Sequence, residues 1–189
     1  DAYALNISGS GLTTINGTVD KAIATLNDAS LAFNTNTFAN ATLNAESGNI
    51  DLADNTANNY EFGTLNATNT QFNLDILGEN SADKIIAGTG STGTININSL
   101  NFAADLTDSE FKIQLLQADS DAIKLALNSA ITGTDYALGK TTKDIDDTVL
   151  ANTSSDAQYL TRTYQGELFG NIKLATTNTT NDSIELAID

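Results

Sequence analysis

Four copies of one short pattern, a small residue followed by Thr, an aliphatic residue and Asn, punctuate the first half of this chain and restrict its fold more than any other feature. They are Ala24-Thr25-Leu26-Asn27, Ala41-Thr42-Leu43-Asn44, Gly63-Thr64-Leu65-Asn66 and Gly93-Thr94-Ile95-Asn96. Asn27, Asn44, Asn66 and Asn96 are 17, 22 and 30 residues apart. A supersecondary unit repeated at such periods cannot bury its apolar face alone and stacks on its neighbours. The first two gaps match one coil of a β-solenoid, and the third a coil plus a loop or a missed rung. The pattern predicts that Leu26, Leu43, Leu65 and Ile95 stack in one inner column.

Between these landmarks the chain alternates with period two, which places one face of each strand in a core. Leu5 and Ile7, Ile50 and Leu52, and Phe72, Leu74 and Ile76 follow it. So do Ile113 with Leu115, Ile123 with Leu125 and Leu127, and Ile184 with Leu186 and Ile188. Gly, Asn, Asp and Ser interrupt the strands where turn backbone is needed, Asn16-Gly17 being the strongest local signal. The stretch from Asp105 to Ala130 is the best place for a helix, yet its period-two alternation predicts strands there too. Residues 139–157 carry little apolar content and are expected to form a long loop. The expected organisation is a single all-β domain over residues 1–189. Regular Asn/Thr-rich rungs occupy about 1–77, and more decorated rungs and loops about 78–189.

The repeat accounts for an unusual composition. Equivalent side chains of a solenoid stack from coil to coil, where amides and hydroxyls can donate and accept along the axis while like charges repel. Pro would interrupt every ladder it entered. The chain is rich in Asn and Thr and contains no Pro, Cys, His, Met or Trp.

These absences exclude much chemistry. Without His and Cys there is no Ser-His-Asp triad, no thiolate nucleophile and no thiolate or imidazole metal site. A net charge of −16, with 8 Lys and Arg, opposes nucleic acid and anionic membrane surfaces. No apolar run reaches the roughly 20 residues of a membrane-spanning helix. The remaining acids, Asp119/Asp121, Asp105/Asp108/Glu110 and Asp144/Asp146/Asp147, read as solvated turns. The sole Arg, Arg162, reads as a strand position stacked on Tyr159 or Tyr164. Asp144-Ile145-Asp146-Asp147 offers oxygen ligands without the spacing of a calcium loop. Asn-x-Ser/Thr sequons begin at Asn6, Asn16, Asn40, Asn66, Asn152, Asn178 and Asn181, about as many as such a composition produces unselected. The expectation is therefore no catalytic, cofactor-binding or metal-binding residue and no cofactor.

Three stretches carry a likeness to a known family. They are Ala24–Leu52, with its Thr-Leu-Asn repeats; Gly63–Asn101, with Phe72-Asn73-Leu74-Asp75-Ile76 and Gly93-Thr94-Ile95-Asn96-Ile97; and Asn171–Leu186. Together they resemble the passenger region of bacterial autotransporter surface proteins. The resemblance implies a right-handed parallel β-helix (β-solenoid), an extracellular or cell-surface setting and export through a C-terminal barrel. It implies an adhesin or stalk whose partners are flanking rungs, further copies of itself, or a host or neighbouring cell surface. The chain starts at Asp1 without an initiator Met and without a signal peptide, which suggests a mature or excised piece. The strand-like segments 1–8 and 183–189 are expected to leave open ends, so that a filament joined by strand addition is the alternative. A carbohydrate-active β-helix is the lesser one.

Overall fold

The computed structural model describes residues 2–78, 81–102, 111–120, 122–127, 157–164, 170–177 and 183–188. The expected loop at 139–157 lies outside them, apart from Ala157. The described chain is all-β: β1 (Tyr3–Ser8), β2 (Leu12–Ile15), β3 (Asp20–Asn27), β4 (Ala29–Phe33), β5 (Phe38–Asp51), β6 (Asn59–Gly78), β7 (Ser81–Ala82), β8 (Lys84–Ala87), β9 (Thr92–Phe102), β10 (Phe111–Ala118), β11 (Ile123–Leu127), β12 (Ala157–Tyr164), β13 (Gly170–Thr177) and β14 (Ser183–Ile188). The stretches read as strands rather than helix, around Phe111–Leu115 and Ile123–Leu127, are β10 and β11.

Parallel pairing stacks these strands into a β-solenoid with three hydrogen-bonded ladders. The first runs from β1 to β3, through the start of β5 and the middle of β6, to β9 and β11. The second runs from β2 to β4, then through the end of β5 and the second half of β6 to β9. The third joins the start of β6 to β8 and β10. β6, at 20 residues, turns two corners and belongs to all three. Coil length grows along the chain: 19 residues from Ile23 to Thr42, 22 from Thr42 to Thr64, 26 from Asn66 to Thr92 and 30 from Gly93 to Ile123.

Register corrects the expected inner column. Leu43 stacks on Leu65, but Leu26 stacks on Ala45, and the residue below Leu43 is Ala24. Ile95 stacks on Leu125, beyond a register shift between Ala67 and Gln71. All four side chains are nevertheless fully buried. Side chains alternate faces with period two, so a slip by an even number of residues moves a side chain along the inner face without turning it outward. Inside and outside were therefore fixed by the alternation, while the partner in the next coil was not.

The core is narrow, as its composition requires. Ala24, Ala41, Ala45, Ala67 and Ala87 are buried among Leu31, Leu43, Ile50, Leu65, Leu74 and Ile97. The wider end of the cross-section is filled by aromatic rings. Phe38 stacks in register on Phe62 with ring centroids 6.1 Å apart and planes 7° apart, and Phe33 meets Phe38 edge-on at 4.9 Å. Two buried hydroxyls are poorly served: Thr37 Oγ1 and, at the corner of β6, Thr70 Oγ1 have no hydrogen-bond partner among the described residues. Thr70→Val keeps the shape and removes that hydroxyl, so it should raise stability by about 1 kcal/mol. A urea midpoint equal to or below wild type would contradict this.

The far end differs from expectation. β14 is not an open edge: it pairs antiparallel with β10 (Phe111↔Ile188) and parallel with β12 (Leu160↔Leu186), and β12 pairs antiparallel with β13. The parallel stack is thus extended there by strands of mixed direction.

Candidate functional site

The outward faces carry the amide and hydroxyl ladders that the composition demanded. On the first ladder, Asn66 Nδ2 donates to Asn44 Oδ1 at 2.9 Å, and Thr92 Oγ1 donates to Asn66 Oδ1 at 3.0 Å. On the second, Asn73 donates to Asn49 at 3.2 Å and accepts from Asn98 Nδ2 at 3.2 Å and Ser99 Oγ at 2.8 Å. Ser47 Oγ links two coils at a corner by donating to Asn27 Oδ1 and accepting from the Asp28 N–H. These bonds join residues about one coil apart and leave the surface polar without placing like charges over one another.

β1 and β2 form the first described coil. Among the described residues β1 pairs with β3 alone and β2 with β4 alone, so the outer edge of each faces away from the stack. Tyr3 and Leu12, which lie on those edges, are 55% and 63% exposed. An unpaired parallel edge flanked by apolar side chains is a template for another strand.

The described residues include a buried pair of acids that the sequence did not announce. Asp75 and Asp83 are both fully buried. Asp83 accepts the Asp75 N–H through Oδ2 at 2.7 Å and the Asn58 N–H through Oδ1 at 3.0 Å, while its own N–H bonds the Asp75 carbonyl at 2.9 Å. Asp75 accepts the Asn55 N–H and Asn101 Nδ2. Burial, opposed by those two backbone N–H groups and reinforced by the charges of Asp75 and Asp54, pushes Asp83 up to about 7. Burial likewise raises the Tyr60 hydroxyl, which donates to the Leu52 carbonyl at 3.1 Å. Asp75 follows Leu74 and precedes Ile76, so alternation aims it outward; it is buried because residues 53–58 cross over it. No local pattern signals such a crossing.

Of the carboxylates weighed in the sequence, Asp119 alone is among the described residues. Asp119 is exposed and accepts from Thr89 Oγ1 at 2.6 Å. Asp105, Asp108, Glu110, Asp121, Asp144, Asp146 and Asp147 lie outside the described residues, and Arg162 takes its place in β12 opposite Ile172 and Ile188. Among the described residues no three His, Cys, Asp or Glu side chains are grouped to hold a metal ion, and no helix is long and apolar enough to cross a membrane. The chain matches no protein-family model, no curated protein and no solved structure. The solenoid's surfaces therefore carry the functional argument by themselves.

Proposed function

We propose that this solenoid is a non-catalytic segment of a bacterial extracellular surface protein of autotransporter type, working as an adhesin or stalk. The observation that supports this reading is the set of hydrogen-bonded Asn, Thr and Ser ladders on the outer faces. They give a long, uncharged, water-compatible surface that extends with every added coil, and they serve display better than chemistry. The acidic balance adds colloidal stability to an exposed chain. The protein should bind host or neighbouring cells as a monodisperse particle, and binding should weaken when the ladder residues Asn44 and Asn66 are replaced together by Lys. Absence of cell binding in both forms would refute the adhesin reading.

The exposed apolar side chains Tyr3 and Leu12 on β1 and β2 support a second reading, a filament. A second copy would add strands to β1 and β2. Electron microscopy of native material separates the two readings. A regular fibre that Leu12→Glu disperses selects the filament, and single particles select the adhesin.

A further inference from the structure

We propose that residues 53–58 form an acid-tightened strap, a pH-sensitive closure built on the buried pair Asp75 and Asp83. The segment links β5 to β6 and crosses the outer side of the coil. It is fastened at two points, the Asn55 N–H on Asp75 and the Asn58 N–H on Asp83. Bonds of its own shape it between these points: Asp54 Oδ1 accepts the Thr56 N–H at 2.8 Å, and Asn58 Nδ2 donates to the Thr56 carbonyl at 3.1 Å. The Asn58 carbonyl accepts from the Lys84 N–H at 2.8 Å, tying the strap to β8.

The fastening is electrostatically unbalanced. Among the described residues, the charged groups that raise Asp83 are Asp75 from β6 and Asp54 from the strap, both negative. At the end of β5, Asp51 accepts the Ala53 N–H, and on β6 the Tyr60 hydroxyl is held neutral by burial. A carboxyl group withdrawn from water favours its protonated form, and for Asp83 burial and the neighbouring negative groups outweigh the two N–H groups on its oxygens.

The direction of the pH effect follows. Asp83 is raised from 3.8 to about 7 in the closed strap. When the strap lifts and water reaches the group, it returns towards its ordinary value. Closed protein then holds more protons than open protein between these limits. Closure is therefore strongest below about pH 4, weakens as pH rises towards 7, and is constant above that. The opening equilibrium should rise by up to about tenfold per pH unit across the window. Strap opening would bare Asp75, so the neutral form presents a more acidic outer face than the acid form.

Amide hydrogen exchange of the whole chain tests this, with rates corrected for intrinsic pH dependence. Protection at Asn55 and Asn58 should fall between pH 4 and 7 and level off beyond, while Leu43 and Leu65 stay protected throughout. Asp83→Asn should flatten the profile. Asp54→Asn alters an exposed residue and keeps the Thr56 bond, so it leaves the fold intact; it should move the levelling point to lower pH. Constant protection at Asn55 and Asn58 in the wild type would overturn the proposal. So would a profile unchanged in Asp54→Asn, or one that survives in Asp83→Asn.

Discussion

Gly48→Ala is expected to destabilise the solenoid by about 3–5 kcal/mol, near the upper end of what one substitution does. Gly48 sits at the corner of β5 with φ +116°, where a side chain is strained whatever the space around it. There is also no space: a Cβ would lie 2.1 Å from the Ala29 carbonyl oxygen and 2.9 Å from the Ala29 nitrogen. Both are backbone atoms of the preceding coil, held in register by the Ala29↔Gly48 pair, so neither can give way without breaking the ladder. Gly93 is built alike, with φ +100° and a Cβ position 1.9 Å from the Ala67 oxygen, and Gly93→Ala should cost as much. Gly9 separates the two causes. Its φ is +112°, yet nothing lies within 4 Å of its Cβ position, so Gly9→Ala should carry only the backbone strain, about 1–2 kcal/mol. Urea denaturation followed by circular dichroism would measure all three. Equal midpoints for Gly48→Ala and Gly9→Ala would show that close coil contact adds nothing.

Phe72→Ala should cost about 3–5 kcal/mol. The ring is fully buried in β6, with Ile50 in register on one side and Ile97 on the other. Each coil of a solenoid is stabilised chiefly by its two neighbours, so a cavity at this level weakens two interfaces at once. The narrow, Ala-rich core offers few long side chains to swing into the space. Leu12→Ala in the first described coil is the contrast: the side chain is 63% exposed and faces one neighbouring strand, and its loss should cost less than about 0.5 kcal/mol. If the two substitutions shifted the denaturation midpoint equally, the packing account of the central coils would fail.

What could be read early followed from local alternation and from composition. Ile50 and Leu52, or Phe72, Leu74 and Ile76, are buried as their spacing required. The excess of Asn and Thr became bonded ladders such as Asn44–Asn66–Thr92. Freedom from Pro allowed β6 to run 20 residues around two corners. The candidate site was less legible. The acids that stood out in sequence were clustered ones, yet the buried pair is Asp75, hidden in a strand, and Asp83, just ahead of β8. Neither has a sequence neighbour that signals burial.

By itself, then, the sequence determined the all-β solenoid, which residues face the core, and that the outer faces are amide and hydroxyl ladders. Each of these depends on side-chain chemistry repeated at short range, which a single coil already expresses. Only the tertiary structure decided that Leu26 meets Ala45 rather than Leu43, that β14 is paired on both sides, and that a strap buries Asp75 against Asp83. These depend on how one coil slides over the next and on which segment crosses which. An even slip keeps every apolar residue inside, so hydrophobic patterning is blind to it. The choice falls to corner glycines, bulges and the hydrogen bonds made between coils.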